Sequence, residues 1–146
     1  MSTTKTVSAE IIINASRERV WEILTSFSDY SAWNPFIISS RGEAIVGTRL
    51  DNVINNGGRK MTFHPKILRS EPYRYFDWLG IFIVKGVFDG HHYFMIDDLG
   101  NGMVRLTQGE NFSGVLSGII LKSIESDTLR GFERMNQALK QRAEHR

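Results

Sequence analysis

LKSIESDTLRGFERMNQALKQRA, residues 121–143, decides the fold. Leu121, Ile124, Thr128, Phe132, Met135 and Leu139 recur at spacings of three and four, so they share one face of an α-helix. The spacing predicts a single helix over about 117–143. At 1.5 Å per residue its roughly 25 residues reach nearly 40 Å, enough to cross a whole sheet. A helix with one long apolar stripe must lie on a broad apolar surface, and the residues before it have to build that surface.

They read as strands. In TVSAEIIIN, residues 6–14, Val7, Ala9, Ile11 and Ile13 alternate onto one face, the pattern of a half-buried strand. Ser16 is a plausible N-cap for a short helix in which Val20, Leu24 and Phe27 share a side. YSAWNPF adds a second short helical turn, broken at Pro35. From Phe36 to about Phe112 the pattern is strand-like, punctuated by Gly42, Gly47, NNGG at 55–58, Glu71–Pro72 and DDLGNG at 97–102. That punctuation predicts about six hairpin-connected strands. The expected fold is therefore α+β: a seven-stranded antiparallel sheet curved around the long C-terminal helix, with two short helices after the first strand. No repeat or Pro/Gly-rich linker divides the chain, which is expected to form one domain over residues 1–146.

Composition narrows the function. Hydrophobic residues at 41% and charged residues at 23% are values of a globular chain, neither disordered nor fibrous. The net charge of +2 is small and its basic residues are scattered, so no concentrated basic face points to nucleic acid. The absence of cysteine excludes disulfides, thiol catalysis and thiolate metal sites. MSTTKTVSAE at the start lacks the apolar segment of a secretory signal, and a cytoplasmic location is expected.

Several segments, in this order, resemble the SRPBCC superfamily of helix-grip proteins, which includes StAR-related lipid-transfer domains, pollen-allergen-like proteins and polyketide cyclases. They are RVWEILTSFSDYSAWNPF at 19–36, MTFHPKILRSEP at 61–72, the Trp of FDWLG at 76–80, GHHYF at 90–94, RLTQGENFSG at 105–114 and GFERMNQALKQRAE at 131–144. The likeness is strongest to the polyketide cyclase/dehydrase and lipid-transport branch. It implies a seven-stranded sheet gripping the last helix, with a cavity between them for an apolar ligand. It implies no reaction, because one fold hosts many functions. The chain departs from the family pattern at His91, where an acidic residue is usual, and at Asn52, where an aliphatic one is.

The pair His91–His92 lies within GVFDGHHYFMID, residues 86–97. Consecutive strand side chains face opposite sides of a sheet, so the two imidazoles cannot chelate one ion. Even positions Phe88, Phe94 and Ile96 are apolar, which sends His92 inward and His91 and Tyr93 outward. With the following hairpin loop centred on Gly100, His92 falls opposite Gln108 and diagonal to Glu110, at a Cα distance of roughly 7–8 Å. A polar cluster of His92, Gln108 and Glu110, with Asn52 joining, then sits in an apolar wall. One His and one carboxylate fall short of the three protein ligands usual for a catalytic zinc, and no metal is expected. His64 and His145 are expected on the outer face and in the tail.

Three functions fit these residues. The first is binding of a small, mostly hydrophobic molecule such as a lipid, polyketide or aromatic metabolite. Its lining would be Asn52, Phe63, Phe76, Trp78, His92, Phe94, Leu106, Gln108, Glu110 and Phe112 from the sheet and Ile124, Thr128 and Phe132 from the helix. The second is a cofactor-free cyclase, dehydratase or hydrolase acting on a carbonyl compound, in which His92, held in orientation by Glu110, removes a proton α to the carbonyl. The third is a partner- or membrane-associated module using the apolar GVLSGIILKSI at 114–124, with peripheral membrane contact.

Overall fold

The first apolar alternation forms strand β1, Lys5–Ile13, with Val7 and Ile13 fully buried and Ala9 and Ile11 packed beside them. The structure, a computed structural model, describes residues 4–82 and 84–145. Ser16 caps helix α1, Arg17–Thr25, through a 3.1 Å hydrogen bond from the Arg19 N–H to its hydroxyl. A 3₁₀ turn at Phe27–Asp29 and the one-turn helix α2, Tyr30–Trp33, follow. Asn34 ends α2: its side-chain oxygen accepts from the N–H groups of Phe36 and Ile37, both at 2.9 Å, and turns the chain past Pro35 into β2, Ile37–Arg41.

The remaining strands are β3 (Asp51–Asn56), β4 (Arg59–Phe63), β5 (Lys66–Glu71), β6 (Tyr75–Ile81), β7 (Asp89–Gly100) and β8 (Met103–Ser113). All pair antiparallel, in a five-stranded sheet of order β1-β8-β7-β6-β5 and a three-stranded sheet of order β2-β3-β4. A bridge between Arg49 and Lys66 and the bond from Leu50 N–H to the Pro65 carbonyl, 2.9 Å, join them into one curved wall. The described residues thus hold eight strands in two sheets, where the punctuation predicted seven in one. The difference lies at 59–71: Pro65 has no N–H to continue a ladder, so the segment splits into β4 and β5.

Helix α3, Ser117–Glu144, runs for 28 residues in the concavity of this wall, against β1 and β8 on one side and β3 on the other. This is the helix-grip arrangement. Leu121, Thr128, Phe132, Met135 and Leu139 of the predicted stripe are buried, and Ile124 is half-buried.

The register of the β7–β8 hairpin departs from expectation by two residues. The turn is Asn101–Gly102, with φ of 55° and 72°, and a bulge lies between Asp98 and Gly100. Two positive φ values make a type I′ turn, the geometry Asn-Gly favours, so the turn centres there and not on Gly100. A two-residue shift preserves facing: His92 stays inward, but it now stands directly opposite Glu110, and Phe94 opposite Gln108. Gly102→Val should cost about 1–2 kcal/mol, since a β-branched residue resists positive φ; urea denaturation would read this as a lower midpoint with an unchanged slope.

Candidate functional site

The inward side chains of β7 and β8 meet α3 in a directed chain of hydrogen bonds. Asn136 of α3 donates through Nδ2 to the Ala9 carbonyl of β1 (3.3 Å) and accepts through Oδ1 from Gln108 Nε2 (2.9 Å). Gln108 Nε2 also lies 3.5 Å from the Phe132 carbonyl, so both its protons face acceptors and its Oε1 turns to His92 Nε2, 2.9 Å away. That nitrogen must therefore carry a proton. The other, Nδ1, faces Glu110 Oε1 at 3.2 Å. One further proton is shared there, as imidazolium with carboxylate or as imidazole with carboxylic acid.

His92 and Glu110 are 3% and 6% exposed, so neither form is solvated by bulk water. The His92 ring is enclosed by Trp78, stacked at 5.0 Å, by Phe94 at 4.9 Å and by the edge of Phe132 at 5.0 Å. Gly90 makes room for the acid. A Cβ at that position would stand 2.0 Å from Glu110 Oε2, so only glycine lets the carboxylate lie across β7.

Glu110 is also where the chain reaches open space. Between the sheet and the first half of α3 lies a cavity of about 20 Å³. Phe36, Ile54, Met61, Phe82, Phe88, Phe112 and Ile124 supply its apolar walls, and Asn56, Glu110 and Thr128 its polar groups. Asn56 donates to the Thr128 hydroxyl at 2.9 Å. Phe82, on the loop after β6, packs its ring between Phe63 and Phe88 at centroid distances of 5.2 and 5.4 Å.

Of the residues predicted to line a pocket, Glu110, Phe112, Ile124 and Thr128 reach the cavity. Phe76, Trp78, His92, Phe94, Leu106, Gln108 and Phe132 are packed in the interior beyond it, and Phe63 backs Phe82. Asn52 stands apart from the His92 cluster: β2 and β3 bring it to Ser40, whose hydroxyl donates to its oxygen at 2.6 Å. The sequence reading missed Phe36, Ile54, Asn56, Met61, Phe82 and Phe88 as lining. Strand parity could have found Ile54 and Asn56, which share the face of Asn52, and Phe88, which shares that of His92. Phe82 carries no periodic signal because it lies outside the strands.

Asn136→Leu should break the chain at its root, leaving Gln108 Nε2 only its long 3.5 Å contact with the Phe132 carbonyl and the part-buried Ala9 carbonyl without this donor. A loss of about 1–3 kcal/mol in chemical denaturation is expected.

Residues 4–144 match a family model described as polyketide cyclase / dehydrase and lipid transport. The chain belongs to this cyclase/lipid-transport family. None of the curated proteins matches it in sequence. Among solved structures it is similar to the ZhuI aromatase/cyclase of Streptomyces sp. R1128, with a TM-score of 0.82 and 16% identity over 99% of this chain and 96% of that one. A START superfamily protein of Mycobacterium smegmatis follows at 0.73 and 20%, over 95% and 97% of the two chains. Truncated norcoclaurine synthase of Thalictrum flavum gives 0.76 and 15%, over 99% and 96%. At such identities these likenesses establish the shared fold of the cyclase/lipid-transport family and nothing finer.

On the convex side of the sheet, this member of the cyclase/lipid-transport family carries a second polar network. Asp77 is buried and accepts from the Arg69 N–H (2.8 Å), the Tyr75 hydroxyl (2.7 Å) and His91 Nε2 (2.7 Å). Asn111 Nδ2 lies 3.1 Å from His91 Nδ1, and its Oδ1 accepts from the Thr6 hydroxyl at 2.7 Å. Burial, with the bond to Asp77, pushes the Tyr75 phenol well above its ordinary range. His91 thus faces outward but is tied into four strands. His91→Ala should cost about 2 kcal/mol by freeing one bond to a buried carboxylate, and leave any ligand affinity unchanged; thermal melts with a binding titration would read the two apart. His64 pairs with Asp51 at 2.8 Å on the exposed face of the smaller sheet, and His145 follows the end of α3. No three His, Cys, Asp or Glu side chains among the described residues converge as metal ligands.

Proposed function

We propose that the protein binds a small, mostly apolar molecule between the sheet and the first half of α3, with Glu110 at the inner end of the site. The observation that supports this is the cavity itself: seven apolar walls, four of them aromatic, around three buried polar groups. Its 20 Å³ is room for about one water, so a ligand must displace side chains. Phe82 and Met61 are the movable ones: Phe82 is half-buried and Met61 exposed at the edge of β4. Lipids, polyketides and aromatic metabolites all suit such a lining. Cysteine-free throughout, the chain suits the reducing cytoplasm, where we place it.

Native mass spectrometry of the purified protein tests the reading. A co-purifying small molecule, lost when Ile124→Trp fills the mouth of the cavity, is expected. No bound molecule, together with no uptake of a hydrophobic fluorophore, would refute it.

A second reading, cofactor-free cyclase or dehydratase chemistry, is favoured by the proton shared between His92 and Glu110. Because His92 is walled in by rings, Glu110 would be the group that exchanges a proton with a carbonyl compound, and His92 would hold it in place. Glu110→Gln should then lower turnover by orders of magnitude with binding retained. Access from a membrane would suit the apolar rim at Val84, Val115 and Ile119, each at least 60% exposed. Failure to pellet with either neutral or anionic liposomes would remove that route. No helix among the described residues is long and apolar enough to cross a membrane.

A further inference from the structure

We propose that the site selects ligands whose polar end donates a hydrogen bond, such as a phenol, and rejects carboxylates of the same size. This rests on the binding reading above and adds to it the chemistry of the head group.

The polar atoms that face the cavity are unbalanced. Glu110 Oε1 is engaged with His92 Nδ1, whereas Oε2 makes no hydrogen bond among the described residues. Asn56, nine-tenths buried, uses its Nδ2 on Thr128 and leaves its Oδ1 buried without a partner. Two acceptors therefore wait on the cavity side, one from β3 and one from β8. No Lys, Arg or His among the described residues lines the space. A hydroxyl placed there would give its proton to Glu110 or Asn56, relieving a buried acceptor that otherwise lacks any partner.

A carboxylate would meet the opposite. It would bring an unpaired negative charge against two acceptor oxygens, Glu110 Oε2 and Asn56 Oδ1, with no Lys or Arg among the described lining residues to receive it, in a wall of phenylalanine rings. An ether of the same shape would fill the space but satisfy neither acceptor. Rings suit the walls because Phe36, Phe82, Phe88 and Phe112 surround the space, and the Phe82 ring marks the volume that a ligand ring would take over.

Three probes of equal skeleton separate these terms: 2-naphthol, 2-methoxynaphthalene and 2-naphthoate, titrated calorimetrically into the full chain at pH 7. The naphthol should bind at least 10-fold more tightly than the methyl ether, and the naphthoate should bind weakest. Glu110→Gln, checked for a native melt, should reduce the discrimination against naphthoate at least 10-fold. Equal affinities for naphthol and its ether, or naphthoate binding as well as naphthol, would overturn the proposal while leaving the pocket standing. Should none of the three bind, the binding reading itself falls and this inference with it. The wild-type series decides the matter even if the Glu110 variant does not fold.

Discussion

Phe132→Asp should destroy the folded state at room temperature or come close to it. Phe132 is fully buried at the centre of α3, with its ring edge-on to His92 at 5.0 Å and to Phe36 at 5.5 Å. Truncating a buried phenylalanine alone costs about 3–5 kcal/mol. The aspartate adds a carboxylate next to an acid that already shares its proton with His92, so the charge has no neutralising partner. A loss of at least 5 kcal/mol corresponds to a fall in melting temperature of roughly 15 °C or more. Circular dichroism melts measure it directly, and a melting temperature within a few degrees of the parent would contradict the packing of α3 against β7.

Phe82→Ala should do the reverse for binding. The Phe82 ring closes the cavity against Phe63 and Phe88 and lies within contact of the space beside Gly90 and Glu110. Its removal should leave a ring-sized apolar hole, a kind of space that stays dry and accepts benzene-like guests. The stability cost should be about 2 kcal/mol, below that of a fully buried ring because Phe82 is only half-buried. Affinity for indole or naphthol should rise at least 10-fold, since the guest no longer has to evict a resident side chain. Calorimetry on wild type and variant gives the ratio. Unchanged affinity would show that ligands enter elsewhere or not at all.

How far these features can be read from residues alone differs from one to the next. The stripe from Leu121 to Leu139 marks α3 because a helix buried on one face repeats its apolar residues with the helical period. Strand parity likewise separates His91 from His92, since alternation survives any even shift of register. The shift itself was harder to read. Gly100, Asn101 and Gly102 all take positive φ, and a bulge before Gly100 places the turn one residue later than the glycine-centred reading. Pro65 divides a segment that looked continuous because its missing N–H matters only once a neighbouring strand is in place. The cavity was least legible. Asn56 and Thr128 meet across 72 residues of sequence, and Phe82 reaches the interior from a loop. Whether a space between sheet and helix is filled depends on side-chain volumes at such meetings, which no periodicity encodes.

The chain of bonds through Asn136 makes α3 a cantilever. Toward its C-terminus the helix is clamped to β1 twice, by Asn136 on the Ala9 carbonyl and by Lys140 on the Ile12 carbonyl at 2.8 Å, and to β8 through Gln108. Going toward the N-terminus, the next tie is the Asn56–Thr128 bond, at the edge of the cavity. Beyond it, Leu116 offers no side-chain cap, and the backbone bonds of Val115 to Gly86 and Leu116 to Val87 couple the start of α3 to the residues just before β7. Bending about Thr128 would lift that end and those residues as one piece, without disturbing the His92–Glu110 pair behind the pivot. Amide hydrogen exchange should therefore be uneven along a single unbroken helix, fast over 117–127 and slow over 132–143.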